Sequence, residues 1–250
     1  MTLPRTVPPQ AQGPLRRGER TAYVLNAVLA WVGVALTVVL STLDLYDRSA
    51  PEPGLYGDTA PGAAGALARL VDTLSYFTVW SNIVVAVALT LLARAPRDDA
   101  YWRRVLRLDA VLMITITAIV YAVLLAPITE VTGWSRLTNP WQHILVPAVT
   151  VLVWLWFGPR GWISGRVMLG GLLIPLAWIG WMLVRGAVIG SYPYAFANVA
   201  ERGYPAVFTT LAGILVFAVV VMGVYWALDR LLVRLGGRRL RPADDWDVRG

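Results

Sequence analysis

Six stretches of this chain are apolar for long enough to cross the roughly 30 Å hydrocarbon core of a bilayer. They run from about Thr21 to Leu43, Leu74 to Ala95, Leu106 to Ala126, Asn139 to Phe157, Val167 to Ala187 and Pro205 to Leu231. Each is too long for a buried strand and too uniformly apolar for a surface helix. With 57 % hydrophobic and only 15 % charged residues, a water-soluble domain of 250 residues could not hide its apolar surface in one core. The expected fold is therefore an all-α integral membrane protein, a single bundle of six transmembrane helices. The first run continues into Asp44 and Asp47 without a small-residue cleavage site, so it reads as an anchor rather than a removable signal peptide.

Charge orients the spans. All 22 basic residues are arginine, and only Arg48, Arg69, Arg136, Arg185 and Arg202 fall on one side of the array, where they face seven acids. The rest fall in the two tails and in the connections Arg94 to Arg107 and Gly158 to Arg166. Because basic residues are retained on the cytoplasmic side, both termini are expected to be cytoplasmic and the membrane to be the cell (plasma) membrane. Topology and anionic headgroups account for the net charge of +7, so membrane lipids are expected partners and nucleic acid is not. The absence of cysteine removes disulfides, thiol nucleophiles and thiolate metal sites. No Walker loop, GxGxxG or HExxH is present, and no metal or organic cofactor is expected.

The domain plan is simple. Residues 1–20 mix Pro, Gln and Arg with no apolar period and read as a disordered cytoplasmic tail; residues 21–233 form the six-helix domain; residues 234–250 read as a second cytoplasmic tail. The longest connection, Asp44 to Thr73, is rich in Pro and Gly turns, and its last part, Ala66 to Thr73, fits a short interfacial helix. The other connections are short, which makes successive spans antiparallel neighbours.

Chemistry has few places to reside. His143 is the only histidine, so any imidazole base must be this residue. It lies in span four within Asn139-Pro140-Trp141-Gln142-His143-Ile144-Leu145-Val146-Pro147, four residues after Asn139. Pro147 has no amide hydrogen for the His143 carbonyl, which predicts a kink of span four at the histidine and an unpaired backbone acceptor beside the imidazole. Span two opens with Ser75, Thr78, Ser81 and Asn82 as a polar stripe. Counted from the ends of the apolar runs, Thr78 and His143 share a depth of about 6 Å at 1.5 Å per residue. A threonine beside a histidine can act as nucleophile with its base. A hydroxyl bonded to its own helix and a histidine bridging helices describe the same residues equally well.

A set of segments adds to this reading. Tyr76-Phe77-Thr78-Val79-Trp80-Ser81-Asn82, Thr115 to Tyr121, Trp141 to Pro147, Phe157-Gly158-Pro159-Arg160-Gly161 and Tyr192-Pro193-Tyr194-Ala195-Phe196 together resemble the Pr6Pr family of six-helix bacterial membrane proteins. That family is in turn similar to the androgen-induced membrane hydrolases, multi-pass enzymes that cleave fatty-acid esters of hydroxy fatty acids with one intramembrane threonine and one histidine. The resemblance implies Thr78 as nucleophile and His143 as base, and a lipid-like small-molecule substrate.

The functional expectation is a multi-pass membrane hydrolase of lipid-like (fatty-acid) esters using Thr78 and His143. Asn82, Tyr121 and Asn139 are candidate oxyanion or supporting groups. Arg185, near the end of span five, is a candidate contact for a substrate carboxylate, and Tyr192-Pro193-Tyr194 a candidate lid. The alternative is a non-enzymatic lipid-binding or transporter-like protein that uses the same cavity. Transport would favour deep intramembrane charges, which are nearly absent here.

Overall fold

The computed structural model describes residues 16–239 apart from residue 49. Most of the two expected tails, residues 1–15 and 240–250, lies outside the described residues. The elements are α1 (Glu19–Thr42), α2 (Ala66–Thr73), α3 (Phe77–Arg94), α4 (Tyr101–Val120), α5 (Ser135–Pro140), α6 (Val146–Phe157), α7 (Gly165–Gly170), α8 (Leu173–Ile189) and α9 (Val199–Arg239). No strand occurs among the described residues, although Leu55 and Tyr192 form an isolated parallel β-bridge.

Six helical segments are long and apolar enough to cross a membrane: Glu19–Thr42, Phe77–Arg94, Tyr101–Leu125, Ser135–Phe157, Gly165–Ile189 and Val199–Gly236. They match the six apolar runs. Their outward faces carry large apolar side chains such as Leu25, Leu169 and Val188, the last 79 % exposed. Hydrocarbon is the solvent that suits such a surface, and the chain has multi-pass character. The short helix expected before span two is α2, with the same bounds.

Packing follows from small residues on the facing surfaces. α1 lies along α3, and α3 along α4; Ala27, Ala30, Ala86 and Ala88 let those backbones approach, with Tyr23 and Met113 filling the remainder. A second core, including Leu112, Ile116, Val167 and Met222, joins α4 to α7 and α9. A third, including Trp178, Met182 and Val207, joins α8 to α9.

Four spans are interrupted, span six at Gly203, whose φ of 74° and ψ of 157° are non-helical two residues before Pro205. Span three ends in a π-turn, Tyr121–Leu125, with the Ala126 amide bonded to the Tyr121 carbonyl at 2.8 Å. Span four carries a second π-turn, Trp141–Leu145, between α5 and α6. Where the sequence predicts a kink, the helix takes a π-turn, with the Val146 amide reaching five residues back to the Trp141 carbonyl. Span five, a single run in the sequence, is divided at Gly171 and Leu172, where Pro175 has no amide hydrogen for the Gly171 carbonyl.

The loops at the end opposite the arginine-rich connections are tied together. Arg69, only 8 % exposed, donates to the carbonyls of Ser41 (2.9 Å), Thr42 (3.1 Å), Ala60 (2.6 Å) and Gly62. It thereby caps α1, whose last carbonyls have no intrahelical partner. The 44–73 connection also meets the 190–198 connection: the Tyr56 amide donates to the Tyr192 carbonyl at 3.0 Å, and the Tyr192 amide to the Gly54 carbonyl at 2.8 Å. Together these loops roof the beginning of α3.

Candidate active site

Thr78 and His143 meet. Thr78 Oγ1 lies 3.1 Å from His143 Nε2, and His143 Nδ1 lies 3.0 Å from the backbone carbonyl of Asn139. A carbonyl can only accept, so Nδ1 carries the ring hydrogen and Nε2 turns its lone pair toward the threonine. Asn139 therefore sets the tautomer through its backbone rather than its side chain. The phenol ring of Tyr121 stacks on the imidazole with centroids 4.0 Å apart and planes at 21°, which fixes the ring's orientation. Both aromatic rings sit in π-turns, where the extra residue per turn re-aims side chains.

The residues before the histidine hold the other side of its helix. Trp141 Nε1 donates to the Leu29 carbonyl at 3.0 Å, and the buried Gln142 amide donates to the Gly33 carbonyl at 3.3 Å and to Thr37 Oγ1. With its neighbours anchored on α1, His143 is left facing α3 and α4. Gln142 had no signal in the sequence beyond being polar in an apolar run.

On α3 the polar stripe is shorter than its spacing suggests. Ser75 precedes the helix, bonding the Val71 carbonyl at 2.7 Å and accepting from Trp181 Nε1 at 3.0 Å. Asn82 does not point at the dyad: its Nδ2 donates to the Thr78 carbonyl at 2.8 Å, and Ser81 Oγ bonds the same carbonyl at 2.8 Å. Both brace the turn carrying the nucleophile candidate from behind. Neither Asn82 nor Tyr121 is placed as an oxyanion donor.

Tyr194 lies on the other side of Thr78. Its hydroxyl faces the Thr78 hydroxyl and the backbone amides of Phe77 and Thr78, the first amides of α3. Burial pushes its pKa up to about 12, opposed by the nearby Thr78 hydroxyl and the two amides, so it stays a neutral phenol. The polarities then run in one direction. Thr78 donates to His143 Nε2, and His143 Nδ1 donates to the Asn139 carbonyl, with the Tyr194 hydroxyl close by on the other side of Thr78. Tyr194 was legible only as part of an aromatic loop, because its contact with Thr78 spans more than a hundred residues of sequence.

A cavity of about 630 Å³, counting the space at its mouth, opens beside Thr78 among spans two, three, five and six. Phe77, Ile116, Trp178, Phe196 and Leu215 make it almost wholly apolar, with Thr78, Thr117 and Tyr194 as its polar lining. It suits a hydrocarbon chain. Arg185 is not part of this cavity's lining; its Nη2 pairs with Asp72 at 2.6 Å, its guanidinium lies 4.4 Å over the Tyr56 ring, and its Nη1 is buried with no hydrogen-bond partner among the described residues. No group of three or more potential metal ligands occurs among the described residues. Comparison of the chain with family models, with curated proteins and with solved structures yields no match.

Proposed function

We propose that this protein is a membrane-embedded hydrolase of lipid-like esters, with Thr78 as nucleophile and His143 as general base and acid. The observation that carries this reading is the 3.1 Å contact of Thr78 Oγ1 with a histidine nitrogen whose partner nitrogen is already committed to a carbonyl. The apolar cavity ending at Thr78 supports the substrate class, as does the resemblance to the Pr6Pr family and the androgen-induced membrane hydrolases.

The cycle balances without a further reactant. Thr78 Oγ attacks the ester carbonyl carbon while its proton passes to His143 Nε2. The carbonyl oxygen becomes an oxyanion, to which the Tyr194 hydroxyl, close to Thr78, donates. Collapse breaks the ester C–O bond, and the leaving alcohol takes the proton from His143. Water, deprotonated by His143, then attacks the acyl carbon; the bond to Thr78 Oγ breaks, Thr78 takes the proton back from His143, and the carboxylic acid is released. Asn139 and Tyr121 hold the imidazole throughout.

The test is a purified protein in neutral detergent with a long-chain acyl ester. Wild type should release the acid slowly and label with a fluorophosphonate; Thr78→Ala and His143→Ala should lose both signals while remaining monodisperse. Full labelling in Thr78→Ala would remove it as nucleophile. Absence of turnover with saturable ester binding would favour a lipid-binding protein.

The same proposal places the Thr78 end of the bundle toward the outer leaflet of the plasma membrane, with both termini cytoplasmic, on the strength of the arginine distribution. A cysteine at Gly57 should react with an impermeant maleimide in intact cells, and one at Ala100 only after lysis. The reverse pattern would invert the orientation.

A further inference from the structure

At the arginine-rich end of the bundle a second cavity, of about 560 Å³ including its mouth, lies among spans one to four and the connection after span four. Leu89, Leu92, Val111 and Val153 give it an apolar wall, and Tyr23, Arg104 and Arg107 are among its polar lining. Arg107 is six residues into α4, about 9 Å along the helix axis from its start. Both of its terminal nitrogens are buried and have no hydrogen-bond partner among the described residues. A guanidinium at such depth without an acceptor is costly.

The neighbouring acids are already committed. Asp98 pairs with Arg103 at 3.2 Å, and Asp99 with Arg104 at 2.6 Å. Glu19 accepts from the Tyr23 hydroxyl at 3.1 Å and from the Arg16 amide at 3.0 Å. Asp109, two residues on, faces Gly171 across another side of α4, since positions two apart on a helix do not share a face. What does hold Arg107 is Trp162, whose ring lies 4.0 Å from the guanidinium carbon. Stacking fixes the plane of the guanidinium and leaves its N–H fork without an acceptor.

We propose that this cavity binds an anionic amphiphile, with a phosphate or carboxylate oxygen accepting the Arg107 fork and an acyl chain along Leu89, Leu92, Val111 and Val153. An anionic phospholipid combines both parts, and the arginine-rich end is where such headgroups collect. A free oxyanion would use the fork and ignore the apolar wall. The site is separate from the Thr78–His143 dyad, so it stands or falls independently of the hydrolase reading.

The experiment uses the full chain in neutral detergent, with dioleoyl-phosphatidylglycerol, dioleoyl-phosphatidylcholine or sodium phosphate as probes. Thermal unfolding and native mass spectrometry are the readouts. Phosphatidylglycerol should raise Tm saturably and be retained on the protein; phosphatidylcholine should do neither; phosphate should act only at far higher concentration. Arg107→Gln should weaken phosphatidylglycerol binding about tenfold or more, the loss expected of a charge-assisted pair. Arg94→Gln, at the end of α3 and outside the cavity, should leave it unchanged. Val153→Trp should weaken the lipid but not phosphate, and it carries the test if Arg107→Gln fails to fold. Equal effects of the two lipids, or equal losses in the Arg94 and Arg107 variants, would overturn the site in favour of general surface attraction. Phosphate as potent as the lipid, with Val153→Trp silent, would overturn the amphiphile.

Discussion

At the loop-covered end of the bundle, Thr78, His143 and the Asn139 carbonyl form a directed chain of hydrogen bonds beside Tyr194, and Arg185 has an acid partner in Asp72. At the other end Arg107 lies against a tryptophan face, and its two terminal nitrogens have no acceptor among the described residues. Both regions sit beside apolar cavities of similar size. A neutral, internally satisfied network suits chemistry on an uncharged ester, because its donors are oriented before the substrate arrives and need not be stripped of water. An unmatched cation suits binding, because its stabilisation comes only with the anion. Catalysis and capture thus use the same low-dielectric surroundings with opposite accounting of charge.

The sharpest way to break this contrast is at the dyad itself. If the chain of hydrogen bonds acts as a unit, the Thr78→Ala and His143→Ala double variant should lose no more ester hydrolysis than either single variant, each falling about a thousandfold or to background. Additive losses in steady-state rates would mean that the two residues act separately.

Next in size is Tyr194→Phe. It removes one hydroxyl and leaves the ring against Phe196, on which it stacks with centroids 5.1 Å apart. Loss of an oxyanion donor should lower kcat about a hundredfold with KM little changed. A rise in KM alone would recast Tyr194 as a wall of the cavity.

Asp72→Asn should make the two ends alike by leaving Arg185 as unmatched as Arg107. The pair is largely buried, with side-chain exposures of 12 % and 15 %, so breaking it should cost about 3 kcal/mol. Thermal unfolding in detergent checks this, and an unchanged Tm would show that Arg185 reaches solvent or headgroups.

The smallest effect belongs to Asp44, whose carboxyl is held below the usual carboxylate range by Arg48, at 2.7 Å, and by the Gly62 amide. A lowered folded-state pKa means that its contribution is complete above the ordinary aspartate value of about 4. It fades as pH falls through the lowered one. Asp44→Asn tolerates the positive φ of 62° at this position. It should speed proteolytic nicking of residues 45–62 near neutral pH, with no loss of activity, and the difference from wild type should vanish in acid.

The six spans, the short helix before span two and the candidate pair Thr78 and His143 were legible in the residues, because hydropathy over twenty residues and a lone histidine are local facts. The equal-depth reckoning was less sound than its result. Thr78 is the second residue of α3, whereas span four begins at Ser135, well before the apolar run at Asn139. Ser75 fell outside its helix, and the division of span five at Gly171 had a local cue in Pro175 that the uniform hydropathy concealed.

By itself the sequence determined the solvent, the number of crossings and the asymmetry of charge, since these depend on composition summed along the chain and on where arginines interrupt it. Only the tertiary structure decided which polar groups meet. Tyr194 reaches Thr78, Arg185 finds Asp72, and Arg107 lies on Trp162 without an acid. Each of those outcomes depends on helix rotation and on loops folding back across the bundle. A change of one residue in helical phase, about 100°, would replace every partner while leaving hydropathy untouched.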